Sequence, residues 1–293
     1  NHRNLPDSTI TAGIDHVVIA YANPSLFITD PPGEYVPFED IAKIRSHFDD
    51  GVKVMISIGG SEDTEDFSKA AATDKSRKLF AANIAMLCKN FGFDGVEIDW
   101  KYPGGYGNAF PSKAKEAETF PALVSEIRRA IGPTRLLSIN APAKYENVNV
   151  YSEDRAAVVW LLVDWVNIMT YDVMCRRDTI AKYHTDVKNS IKTIDHFVKK
   201  LHLDPKKINL GFTMYAKYFT IDTTEPCDTG LGCSTKLLET SDGAGKGKTG
   251  FVSFEAENYE TMSSNMTETD DNTCGVISLK KCPEGQCCSA YGF

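Results

Sequence analysis

The stretch Phe93-Asp94-Gly95-Val96-Glu97-Ile98-Asp99-Trp100-Lys101-Tyr102-Pro103-Gly104-Gly105 decides how the rest of the chain is read. Apolar and charged residues alternate through it with the period of an extended strand. Val96, Ile98 and Trp100 fall on one face, and Glu97, Asp99 and Lys101 on the other. Pro103 and two glycines end it. An exposed edge strand with its polar side in water would show the same alternation. The large apolar face needs cover, however, and the flanking sequence repeats a strand–helix pattern, so the strand is expected inside a parallel sheet. Three ionisable groups on one face of such a strand are expensive to bury.

Working outward, strands are predicted at 16–21, 52–58, 136–140, 163–171 and 208–212, the last running on toward Tyr215. Helical segments are predicted over 38–49, 63–90, 112–131, 153–162 and 186–201. This βα repetition means α/β architecture, either a (β/α)8 barrel or a doubly wound sheet. Ser57, Asp99, Asn140, Tyr171, Asp172 and Tyr215 gather at the carboxyl ends of strands, where barrels build their sites. No Gly-rich phosphate loop follows the first strand, which favours the barrel. Only six of eight strands are visible, so the barrel is expected to be incomplete at both ends. Domains are placed at 1–221 (partial barrel), 222–272 (a Thr-, Ser-, Asp-, Glu- and Gly-rich linker, with one strand near 250–254) and 273–293 (a small cysteine-rich module).

The composition narrows the partners. A net charge of −8 over 293 residues, without a basic run, argues against nucleic acid and anionic membranes and suits a neutral ligand. No apolar run reaches the roughly 18 residues of a membrane span. The start, Asn1-His2-Arg3-Asn4, has neither Met nor an apolar leader, as expected of a processed or trimmed chain. Four of eight cysteines (Cys274, Cys282, Cys287, Cys288) crowd the last 20 residues, and Cys227 and Cys233 bracket a short loop, while Cys88 and Cys175 stand alone. That density points to disulfides involving Cys227, Cys233, Cys274 and Cys288, and to secretion; with no His and no Cys-x-x-Cys pair, no metal site is expected. Asn265-Met266-Thr267 is a glycosylation triplet consistent with that route.

The central strand resembles the signature of glycoside hydrolase family 18, the chitinases and chitinase-like proteins, which reads Asp-x-x-Asp-x-Asp-x-Glu followed by Tyr-Pro. Asp94 and Asp99 match, Glu97 stands for the middle Asp, and Lys101 stands where the family carries its catalytic Glu. Ser57-Ile58-Gly59-Gly60 and Met169-Thr170-Tyr171-Asp172 match two further family motifs in the right order. Alone, the first is also an ordinary βα turn and Tyr171 an ordinary core tyrosine. The resemblance implies a (β/α)8 barrel without cofactors and a substrate-assisted route in which the sugar's own N-acetyl oxygen attacks the anomeric carbon. It assigns Asp99 to the acetamido group, Glu97 to tuning Asp99, Tyr171 to the acetamido oxygen and Asp172 to a sugar hydroxyl. Asp94, Ser57, Gly59 and Gly60 are structural. Met169, Tyr215 and Trp100 are carried as substrate contacts, although the alternation puts Trp100, like Trp160 and Trp165, toward the core. Tyr215 and Tyr218 follow a cleft-lining pattern, with Lys217 replacing the usual Arg.

The end of the chain, Cys274-Gly275 … Cys282-Pro283-Glu284-Gly285-Gln286-Cys287-Cys288-Ser289-Ala290-Tyr291-Gly292-Phe293, resembles the start of a hevein-type chitin-binding module. That likeness makes Ser289, Tyr291 and Phe293 sugar contacts. An unperturbed lysine releases its proton near pH 10.4, too high for a general acid at neutral pH. The expectation is therefore a monomeric, secreted, chitin-binding protein that does not hydrolyse. Two alternatives stand beside it: an active chitinase, and an interaction protein or enzyme inhibitor on the same barrel.

Overall fold

A computed structural model describes residues 5–60, 64–104, 114–144, 150–174, 178–222, 224, 226–227, 229–236, 249–253, 267–268 and 280–281. They belong to two compact units: Asn1–Thr170 with Asp186–Gly211, and Tyr171–Thr185 with Phe212–Phe293.

The first unit is a parallel sheet of six strands, β1 (His16–Ala22), β2 (Lys53–Gly60), β3 (Gly95–Trp100), β4 (Leu136–Pro142), β5 (Trp165–Met169) and β6 (Ile208–Leu210), paired in sequential order. A doubly wound sheet reverses its strand order at a switch point, and this order never reverses. The sheet also curls. The rings of His16 on β1 and Trp165 on β5 lie 4.8 Å apart. Four flat inter-strand steps would separate them by roughly 19 Å. The central strand β3 is buried along its whole length, between β2 and β4, so the edge-strand reading falls.

Between the strands run α1 (Ile41–Arg45), α2 (Thr64–Ala71), α3 (Asp74–Phe91), α4 (Ala114–Ile131), α5 (Glu153–Leu162) and α6 (Val187–Lys199). The single helix expected over 63–90 is two. Thr73 starts α3 with a capping box: its hydroxyl accepts the Ser76 N–H at 3.1 Å, and Ser76 Oγ accepts the Thr73 N–H at 3.0 Å. Gly92, at φ +74°, stops α3 by turning left-handed. Phe67, Phe80, Leu123, Ile127 and Phe197 are fully buried in the apolar core that also takes the outward side chains of the sheet. Cys88 sits there as a free thiol, and burial pushes it up to about 11.

Trp100 is corrected here. It is 2% exposed, stacked on Phe67 with ring centroids 5.2 Å apart and edge-on to Phe120 at 5.9 Å. Alternation along β3 turns it to the helical layer, away from Glu97 and Asp99, so it packs and does not contact ligand.

In the second unit, β7 (Tyr215–Phe219) pairs antiparallel with β8 (Thr249–Ser253). Tyr215 is thus not a continuation of the 208–212 strand but opens a separate sheet. Cys227 and Cys233 form a disulfide. Cys175, Cys274, Cys282, Cys287, Cys288, Ser289, Tyr291 and Phe293 lie outside the described residues, as does Asn265. Within 273–293, the described part is the short strand Lys280–Lys281, paired with Thr267–Glu268. No described helix is long and apolar enough to cross a membrane, and the described residues contain no cluster suited to a metal ion.

Candidate active site

The polar face of β3 meets side chains from three other strands, β2, β4 and β5, with β6 joining through Asn167. Glu97 is 7% exposed. Its Oε1 accepts Ser57 Oγ at 2.7 Å and Asn140 Nδ2 at 3.3 Å, and its Oε2 accepts Asn167 Nδ2 at 2.6 Å. Asn167 also donates to Asn140 Oδ1 at 3.0 Å, and Asn209 donates to Asn167 Oδ1 at 3.1 Å. A row of side chains from β2 to β6 therefore runs its donors toward one carboxylate. Burial raises the Glu97 carboxyl above its ordinary value, and the Asp99 charge adds to this, while Ser57, Asn140 and Lys101 oppose it.

Asp99 is 1% exposed, and neither of its oxygens has a hydrogen-bond partner among the described residues. What it has is Lys101, whose Nζ stands 3.2 Å from Oδ2, close enough for an ion pair but without hydrogen-bond alignment. At an intermediate dielectric this pair is worth about 5 kcal/mol in gross Coulomb energy, from which desolvation must be subtracted.

The scaffold around these groups is set by an ion pair, hydrogen bonds and close backbone approach. Asp94 at the foot of β3 pairs with Arg45 at 2.8 Å and accepts the Val54 N–H at 2.8 Å, tying β3 to β2. Gly59 has φ +114°, and a Cβ there would lie 2.3 Å from the Asp99 carbonyl oxygen. Only glycine lets β2 approach β3 at the level of Asp99. Gly60, at φ +105°, faces the Tyr21 ring. Glu116, 6% exposed, accepts the Gly104 N–H at 3.0 Å and Ser68 Oγ at 2.5 Å, pinning the turn that follows Lys101. Met169 closes β5 and is 7% exposed.

The second unit assembles its own cluster. Asp172, at φ +57°, receives the Tyr215 hydroxyl at 2.9 Å and Lys217 Nζ at 2.7 Å, both on Oδ1. His184 Nδ1 stands 3.6 Å from the same atom, and the Tyr171 and Tyr215 rings meet edge-on at 6.4 Å. Tyr218 is exposed. Burial alone would raise the Asp172 carboxyl, but His184, Lys217 and Tyr215 outweigh it and bring it down to about 2. Burial and the Asp172 charge push the Tyr215 hydroxyl up.

A folded value below the unfolded 3.8 means Asp172 contributes stability above about pH 4 and loses it as pH falls toward 2. Thermal melts of the parent and Asp172→Asn should differ at pH 5 and converge by pH 2. A constant difference across that window would contradict the pairing.

Ser57, expected at a strand's carboxyl end and in a βα turn, is found bonded to Glu97. Sequence reading missed Asn167, Asn209, Glu116 and His184. The signal for the two asparagines was present, since each interrupts an apolar strand at a position in phase with Glu97.

The model of the family described as glycosyl hydrolases family 18 matches residues 1–277. Chitinase 1 of Aphanocladium album is 34% identical over 130 residues, 41% of this chain and 28% of that protein. Chitinase A1 of Niallia circulans is 34% identical over 129 residues, 41% of this chain and 18% of that protein, so the chain spans less than a third of either relative. Among solved structures, catalytic domain 2 of the Ostrinia furnacalis Group II chitinase superposes with a TM-score of 0.62 at 24% identity, covering 82% of this chain and 66% of that one. A class V chitinase mutant from Cycas revoluta, solved with (GlcNAc)3, gives 0.61 at 24%, covering 82% and 70%. These likenesses place the fold among the (β/α)8 barrels.

Proposed function

The chain belongs to glycosyl hydrolases family 18, and from that membership we propose that it holds chitin or shorter N-acetylglucosamine oligomers without cutting them. One observation carries the reading: the Lys101 ammonium lies 3.2 Å from Asp99 Oδ2. By resemblance, position 101 is where the family delivers a proton to the glycosidic oxygen, and Asp99 is the group that holds the acetamido N–H. An ammonium there offers no carboxylic acid for the first task. It also occupies the carboxylate needed for the second, because an ion pair and an amide donor compete for the same oxygens. Losing a general acid alone lowers a rate by roughly 10²–10⁴.

Binding is a separate matter. Tyr171, Asp172 and Tyr215 match family positions that meet the acetamido and hydroxyl groups, and we assign them that role here. Ser289, Tyr291 and Phe293 are assigned to sugar stacking and hydrogen bonding in a chitin-binding module at the end of the chain. Secretion as a monomer completes the proposal; the cysteine-dense end supports the secretory route.

Retention on chitin beads, together with a fluorogenic chito-oligomer assay, tests both halves. The protein should be retained and release no fluorophore above buffer. Turnover by the Lys101 form that disappears in Lys101→Ala would overturn the non-hydrolytic half, and failure to bind chitin or soluble oligomers would overturn the other.

A further inference from the structure

His184 is a buried imidazole for which the reading above has no task. It is 3% exposed, its ring stacks on Tyr215 with centroids 5.5 Å apart, and neither ring nitrogen has a hydrogen-bond partner among the described residues. Leaving two buried polar atoms unpaired is costly and calls for a reason.

The nearest anion supplies one. Nδ1 lies 3.6 Å from Asp172 Oδ1, but that oxygen already accepts Tyr215 and Lys217, which fill its two lone pairs. At 3.6 Å His184 polarises that oxygen without a formed hydrogen bond, and a closer approach would compete with Tyr215 and Lys217. Asp172 Oδ2, meanwhile, has no partner among the described residues and is the open acceptor of the cluster. Among the described residues, the charged and titratable groups of this cluster are Asp172, Tyr215, Lys217 and, against the Tyr215 ring, Tyr171; on the loop of His184, Asp178 and Lys182 pair with each other at 2.8 Å.

We propose that His184 is a positioning residue for Asp172 that makes oligosaccharide binding pH-sensitive. When it is neutral, Lys217 and Tyr215 hold Asp172 with Oδ2 open to a sugar hydroxyl. When it is protonated, the buried cation draws Oδ1 toward itself, breaks the Tyr215 or Lys217 bond, and turns Oδ2 out of place. Ligand and proton then compete, and by linkage each weakens the other equally. The inference rests on the chitin-binding reading.

Isothermal titration with chitopentaose between about pH 8 and pH 5, the range in which histidine ordinarily changes charge, reads the coupling. The parent should bind about tenfold more weakly at pH 5, the worth of one charge-assisted hydrogen bond. His184→Phe, which keeps a ring on Tyr215, and His184→Gln, which keeps polarity, should each change less than about twofold. Should both variants misfold, the His184 ring signals of the parent serve instead: saturating oligomer should move their titration midpoint to lower pH. A pH-flat parent, a slope retained in the variants, or an unmoved midpoint overturns the role of His184 while leaving chitin binding intact. No heat of binding at any pH overturns the chitin-binding reading itself.

Discussion

Lys101→Glu is expected to gain hydrolysis of fluorogenic chito-oligomers by roughly 10²–10⁴ over the parent, the usual worth of a positioned general acid. The substitution acts twice. On the proposed reading, it puts a carboxyl group where a general acid would protonate the leaving oxygen. It also removes the ammonium 3.2 Å from Asp99, which on the same reading frees that carboxylate for the acetamido N–H. A third carboxyl beside Glu97 and Asp99 is in keeping with the local field: burial and the Asp99 charge already raise the Glu97 carboxyl, and a new carboxyl would feel the same push toward the protonated form. The gain is measured as kcat/KM at pH 5–7, with chitin binding checked in parallel. If Lys101→Glu binds chitin normally and shows no hydrolysis, the proposal that Lys101 blocks the chemistry is overturned.

Gly59→Ala is the substitution expected to cost most stability. A Cβ at residue 59 would sit 2.3 Å from the Asp99 carbonyl oxygen and 2.7 Å from Phe67 Cε2, and the backbone is held at φ +114°, where side-chain-bearing residues are strained. Strain of about 1–3 kcal/mol adds to overpacking of about 1–3 kcal/mol. The expected loss is therefore about 2–6 kcal/mol, a large share of the 5–15 kcal/mol that holds a typical domain folded. Gly92→Ala is the control. Its φ is +74°, but no atom lies within 4 Å of the added carbon, so about 1 kcal/mol is expected. Urea midpoints compare the two. Equal shifts would mean that β2 and β3 are not in contact at Asp99 as described.

The strands of the first unit were legible because their burial is written as short apolar runs or as period-two alternation, and β3 carries both its faces openly. The break between α2 and α3 was not, because Ala70, Ala71 and Ala72 fit a helix equally well and Thr73 declares itself only by its bonds to Ser76. Tyr215 was read as the end of β6 because Gly211-Phe212 suits an extended chain; its departure depends on β8, some thirty residues further on. Of the site, Glu97 and Asp99 were legible because charge on a buried strand is rare. The asparagine row was not, since its meaning lies in strand register: Asn140 opposite Asn167, and Asn167 opposite Asn209. His184 had no local pattern at all. It sits in a loop twelve residues past Asp172, and only tertiary packing brings it to Tyr215.

Mass spectrometry of chitopentaose held with excess parent protein, in a single-turnover format at pH 5–7, asks most directly whether an ammonium beside Asp99 leaves the ligand whole. The account predicts that the oligomer is recovered as the intact pentamer, bound and uncleaved. Dimer and trimer formed by the parent, and absent once Lys101 is changed to Ala, would contradict it.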